Sequence, residues 1–220
     1  MKANYNLAII GDLVTLVPYR KHHVERYHSW MSSNELLEAT ASEPLSLEEE
    51  YEMQRSWRDD EKKCTFIILR GGQKDEDVNF QDEGVRMLGD VNLFLNDYDD
   101  LLNAEIEIMI AESKARRKGF AKEALKLMMA YAFETLHLHR LYAKISVVNK
   151  ASINLFKSLG YRETNYVEAF KEYEYAFDCR ESSTLNHAAM KAVREVQASS
   201  ICEEYANLPS TLNHWKNSDD

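Results

Sequence analysis

The chain is poor in cysteine and lacks every arrangement that gives cysteine a structural role. Cys64, Cys179 and Cys202 are three among 220 residues, odd in number and without a C-x-x-C pair. That excludes a disulfide scaffold and a zinc ribbon, and it points to a reducing compartment. Positive charge is also short: 27 Lys and Arg stand against 37 Asp and Glu, a net charge of −10. Proteins that grip nucleic acid displace counterions with a basic footprint, so no nucleic-acid partner is expected. No apolar run approaches the roughly 18 residues that a membrane span needs. The stretch at residues 7–10 is cut at once by Gly11 and Asp12, without the basic start, apolar core and cleavage site of a signal peptide. A soluble, cytoplasmic protein with no membrane partner is expected.

Several chemistries are missing parts. Gly84 and Gly89 have the spacing of a phosphate loop but continue with Asp90 and Val91 instead of Lys and Ser or Thr, so no nucleotide triphosphatase is implied. There is no G-x-S-x-G elbow. His22-His23 and His137-x-His139 have no cysteine or carboxylate partners at metal-ligand spacing, and no metal is expected.

What is present is enough for one α/β domain: a chain 45% hydrophobic and 10% aromatic suffices for a single core plus an appendage. Residues 13–18 read as a strand, followed by an amphipathic helix carrying Val24, Tyr27, Trp30 and Met31. Ser46 and Glu49 form an S-x-x-E capping box that starts a helix with Leu47, Tyr51 and Trp57. Strands at 65–69 and 85–95 flank a glycine-bounded acidic stretch, 71–84, read as an exposed loop. Strand, helix, strand and helix follow, and after Gly160 come two more strands, 161–167 and 172–178. The expected organisation is a mixed α/β domain over residues 1–180 and a polar tail over 181–220, partly helical or disordered.

Two motifs carry chemistry. At residues 104–133 an alternating apolar strand runs into a basic turn, Arg116-Arg117-Lys118-Gly119-Phe120-Ala121, and then into a helix with apolar residues at 3.6-residue spacing. The first amides of a helix lack intrahelical acceptors and carry the positive end of its dipole, so such a turn attracts phosphate. Some 30 residues on, after another strand, Asn149-Lys150-Ala151-Ser152 opens a short helix that stops at Gly160-Tyr161. Asn149 is a natural N-cap and Gly160 a natural stop.

Together these motifs resemble the GNAT N-acetyltransferase superfamily, with its R/Q-x-x-G-x-G/A and N-x-x-S/A…G-F/Y patterns. Residues 40–51, 64–69, 89–95 and 105–111 are similar to its N-acetyltransferase 9 group, related to the RimJ/RimL branch, and the resemblance covers residues 12–178. It implies the GNAT fold, a mixed central β-sheet flanked by helices, with acetyl-CoA as cosubstrate. It also implies transfer of acetyl to the N-terminal α-amine of alpha- and beta-tubulin, a protein partner that would bring the chain to microtubules. Acetyl-CoA would then be held by Arg116, Arg117, Lys118, Gly119, Phe120, Ala121 and Asn149. The backbone of Met109, Ile110 and Ala111, after a bulge in the central strand, would face the thioester.

Acyl transfer needs a base for the amine, a donor for the developing oxyanion and help for the leaving thiolate. Glu105 and Glu107, carboxylates on a half-buried strand, are the candidate bases, with Glu105 preferred from its spacing to Arg116. The family's frequent tyrosine acid falls on Phe156, which has no proton to give, so Ser152 is either the acid or only a helix cap. That gap leaves a second reading open, a GNAT-fold protein that binds tubulin with little turnover, and a third, acetylation of lysine or small amines. Arg117 also stands where the family often has glycine.

Overall fold

The computed structural model describes residues 2–71, 86–181 and 184–204, so most of the acidic stretch at 71–84 and the last 16 residues lie outside the described residues. Largely buried central strands, with β7 exposed at one edge, build a two-sided sheet. Its strands are β1 (Leu7–Ile10), β2 (Val14–Pro18), β3 (Lys63–Arg70), β4 (Met87–Phe94), β5 (Asn103–Ile110), β6 (Arg140–Ser146), β7 (Arg162–Val167), β8 (Glu172–Asp178) and β9 (Ile201–Glu204). Among the described residues they lie in the order β7-β8-β6-β5-β4-β3-β2-β1-β9, all neighbours antiparallel except β5 and β6. The expected mixed sheet flanked by helices is what forms.

One face takes α1 (Val24–Met31), α2 (Asn34–Ala39) and α3 (Leu47–Asp59). Val17, Ile67, Leu69 and Met109 of the sheet pack there against Tyr19, Tyr27, Trp30 and Leu36. Ser46 accepts from the Glu49 amide while the Glu49 carboxylate accepts from the Ser46 amide at 2.7 Å, the capping box that starts α3. The opposite face takes α4 (Phe120–Ala130), continued by a π-helical turn at Tyr131–Thr135, then α5 (Lys150–Ser158) and α6 (Thr184–Ser199). Ala124, Leu125 and Met128 of α4 and Phe156 of α5 meet Leu16, Phe66, Val91 and Ile106 there.

The segment expected as a polar tail supplies both α6 and β9. Met190 and Val193 of α6 are buried in the second core, and β9 pairs antiparallel with β1 from Leu7↔Glu204 to Ile10↔Ile201. Two elements in the first 40 residues also lay outside the sequence reading: β1, only four residues long, and α2, only six.

Candidate active site

The single parallel pairing decides where the sheet opens. β5 and β6 are in register only at Asn103↔Arg140, Ala104↔Leu141 and Glu105↔Tyr142. Beyond Glu105 the strands part, leaving residues 106–110 of β5 without a strand partner on that side among the described residues. On the other side β5 stays paired with β4 through Gly89↔Ile110, with no break in register. The bulge expected within the central strand lies just past its end, where the amides of Ala111 and Glu112 both donate to the Leu88 carbonyl, at 2.8 and 3.2 Å. Gly89 makes this possible, because a Cβ there would sit 1.8 Å from the Met109 carbonyl oxygen.

The basic turn closes the same end of the sheet. Gly119 is the N-cap of α4 with φ +91, and Phe120 and Ala121 begin the helix. Arg117 and Lys118 are exposed beside them. Arg117 has φ 65, in the left-handed region that suits a residue without Cβ, such as the glycine expected there by resemblance. Glu123, one turn into α4, accepts from the amides of Asp12, Leu13 and Val14 at 3.1, 2.7 and 2.8 Å and so pins the helix start to the β1–β2 turn. Arg116 is turned along the end of β5 instead of outward, with Nε donating to the Ile110 carbonyl at 3.0 Å and Nη1 bound to Glu35 of α2 at 2.6 Å.

Glu105 and Glu107 share the face covered by α1–α3 but have different surroundings. Glu105 is buried and ion-paired with Lys144 Nζ of β6 at 2.7 Å. Glu107, at the mouth of the opening, keeps access to water. Crowding by protein atoms, and then the charge of Glu105, pushes its carboxyl up to about 7. The water limits that rise, and its upward direction is what a base near neutrality needs. Across the sheet Glu107 lies opposite Asn92, itself opposite Thr65. Thr65 Oγ1 donates to Asn92 Oδ1 at 2.6 Å and Asn92 Nδ2 donates to Asp90 Oδ2 at 2.6 Å. Asp90 is buried, so its carboxyl is raised to about 6. Lys63, boxed between the Trp57 and Phe94 rings at 3.7 Å from each centroid, is lowered by burial to about 8.

On the far side of the opening, Asn149 caps α5, its Oδ1 accepting from the Ser152 amide at 3.1 Å, and Gly160 stops the helix with φ +91. Phe156 is buried edge-on against Tyr161, with ring centroids 4.9 Å apart, and offers no proton. The expected residues therefore converge on one end of the sheet: the turn, the free edge of β5, the two glutamates and the start of α5.

Comparison with known proteins agrees with this geometry. The acetyltransferase (GNAT) domain family matches residues 14–162. The chain belongs to the GNAT acetyltransferase family. It is 50% identical over 185 residues to an N-acetyltransferase 9-like protein of Nematostella vectensis, covering 84% of this chain and 92% of that one. It is 51% identical over 176 residues to the alpha/beta-tubulin-N-acetyltransferase 9 of Drosophila melanogaster, covering 78% and 86%. Among solved structures, the spermidine N-acetyltransferase of Vibrio cholerae in complex with CoA and spermine superposes with a TM-score of 0.64 at 22% identity, over 76% of this chain and 95% of that one. That likeness is one of fold. The chain is thus an N-acetyltransferase, and enzymes of this family draw their acetyl group from acetyl-CoA.

Within this GNAT domain, sequence reasoning missed the polar ladder of Lys63, Thr65, Asp90 and Asn92, and Lys144. A signal existed: Lys63-x-Thr65, Asp90-x-Asn92 and Glu105-x-Glu107 place polar residues two apart on three adjoining strands, which puts all six on one face. A cleft of about 640 Å³ elsewhere, lined by Lys2, Tyr5, Asn6, Arg58 and Tyr131, contains none of the expected site residues. Among the described residues no cluster of His, Cys, Asp or Glu could hold a metal, and no helix is long and apolar enough to cross a membrane.

Proposed function

We propose that this GNAT enzyme transfers acetyl from acetyl-CoA to the α-amino group of a protein N-terminus, with alpha- and beta-tubulin as acceptors. The observation that carries the reading is the parting of β5 from β6 beside Glu107. An extended arm can add to the free edge of residues 106–110 as an extra strand would, its phosphates meeting the amides of residues 117–121. Arg117 and Lys118 add attraction for those phosphates, and the backbone of Met109, Ile110 and Ala111 lines the end of the edge. The names of the relatives support tubulin, and microtubule association and a cytoplasmic location follow from it.

When bound, acetyl-CoA supplies an activated acyl group; the chain's own residues orient the amine and move its proton. Glu107 is favoured as base over Glu105, because Glu105 is already bound to Lys144 whereas Glu107 has water access and a raised pKa. An α-amine titrates near 8 and a lysine near 10.4, so a single carboxylate raised toward neutrality handles the former far more easily. The acceptor enters between residues 40–51 and the β7–β8 turn at 168–171. Intact-mass analysis after incubation with acetyl-CoA tests the acceptor. Acetate is expected on tubulin N-terminal peptides with a free α-amine, and acetate instead on amine-blocked peptides with a free lysine would refute the assignment.

A further inference from the structure

Acyl transfer to an amine leaves one demand unmet by the residues so far described. The sulfur of coenzyme A departs as a thiolate, and the family's tyrosine position holds Phe156, buried against Tyr161. The hydroxyl of Ser152 stands on the first turn of α5, its amide already used in the Asn149 cap. Another group at the opening is cationic and fixed.

Lys144 stands on β6 two residues past Tyr142, the last residue of that strand paired with β5. Continuing the register sets Lys144 opposite Glu107, at the point where the strands have separated. Its ammonium is half exposed, and it reaches back to Glu105 Oε2 at 2.7 Å. The two lips of the opening therefore carry opposite equipment on the same face: a carboxylate on β5 and an ammonium on β6. Resting on the acetyl-transfer reading above, we propose that Lys144, held by the positioning residue Glu105, stabilises and protonates the departing thiolate, the part a tyrosine on α5 would otherwise play.

The step balances. The C–N bond forms, the C–S bond breaks, and sulfur leaves with the bonding pair. The amine arrives as an ammonium and ends as an amide N–H, so nitrogen sheds two protons. Glu107 passes one to water; the other makes good the proton that Lys144 gives to sulfur. Burial works against the charge on Lys144, but the Glu105 hydrogen bond and charge outweigh it and raise its pKa, so the cation persists through neutral pH. Glu105 thereby has a role that does not compete with Glu107. The titratable groups around Lys144 are Glu105 and Glu107 on β5, the neutral Tyr142 on its own strand, and Glu174 directly opposite on β8, which is itself paired with Arg140 at 2.8 Å.

The test uses the full chain and two readouts. In the first, free CoA is bound and its thiol titrated by the ultraviolet absorbance of the thiolate, with no acceptor present. Lys144→Gln should move that ionisation up by at least about one pH unit relative to wild type, whereas Lys144→Arg should hold it near the wild-type position. In the second, Lys144→Gln should lower kcat for acetyl transfer by about 100-fold with the KM for acetyl-CoA unchanged. Glu105→Gln should move the basic limb of the kcat profile to lower pH, since Lys144 then gives up its proton sooner. An unmoved thiol ionisation in Lys144→Gln would overturn the proposal, as would full kcat with a raised KM. A shifted ionisation in a protein that acetylates no N-terminal peptide would uphold Lys144 and refute the acceptor instead.

Discussion

Replacing Glu107 by glutamine keeps the size of the side chain and removes its ability to take a proton. With the Glu107 carboxyl raised to about 7, the wild-type rate at low pH should fall in proportion to the ionised fraction. Between pH 7 and pH 5 that is a drop of roughly 50-fold for a single group with this pKa. Above pH 7 the Glu107 contribution levels off, and the acceptor amine, titrating near 8, continues to shape the profile. The amine is common to all variants, so the difference between profiles isolates the carboxylate. Glu107→Gln should lose ~100-fold to ~10,000-fold in kcat at pH 8, with KM little changed, and should lose the limb centred near 7. Glu105→Gln should keep that limb, moved down somewhat, because the Glu105 charge helps raise the Glu107 pKa. Single-turnover kinetics at saturating acetyl-CoA from pH 5 to 9 gives both curves. A Glu107→Gln enzyme with the wild-type profile, beside a Glu105→Gln enzyme that has lost it, would refute the assignment and return the base to Glu105.

Three other outcomes follow from the geometry. Gly89→Ala should destabilise the fold by about 1–3 kcal/mol or more in urea denaturation, since its Cβ would meet the Met109 backbone oxygen at 1.8 Å. Arg117→Gly should stabilise by up to ~1 kcal/mol in the same assay, because a φ of 65 costs a side chain but not glycine. Glu50, buried with its pKa raised to about 7, ionises in the unfolded chain well before it does in the fold, so stability declines from about pH 4.5 to 7 and is flat above. Thermal melts of Glu50→Gln should match wild type near pH 4 and exceed it at pH 8, by about 1–3 kcal/mol.

The parts of the site written in contiguous residues were legible. The Ser46–Glu49 box, the Asn149 cap, the Gly160 stop and the apolar stripe of α4 each depend on neighbours within one or two helical turns, and each formed where the residues placed it. The parts that failed depend on distant partners. β1 is stabilised by β2 on one side and β9 on the other, nearly 200 residues away, so its four apolar residues, weighed only as a signal peptide, gave no sign of a strand. The tail reads as partly helical with a short apolar pattern at 190–196, and α6 forms there, but that Met190 and Val193 are buried, with Ala189 and Val196 packed beside them, depends on the distant α4. Lys63 and Asp90 drew no functional reading from the sequence, because nothing adjacent in the chain reveals the aromatic box around one or the helices over the other. Glu105 and Glu107 stood out as carboxylates on a half-buried strand, but the residue that gives them different surroundings, Lys144, comes from the next parallel strand, 39 positions on from Glu105.

The central claim is that acetyl-CoA lies in the opening between β5 and β6 with its phosphates at the start of α4. Hydrogen–deuterium exchange of the full chain with and without CoA locates it directly. The account predicts new protection at residues 106–110 and 117–121. Protection centred on the cleft around Lys2, Arg58 and Tyr131, with the edge of β5 exchanging as before, would contradict it.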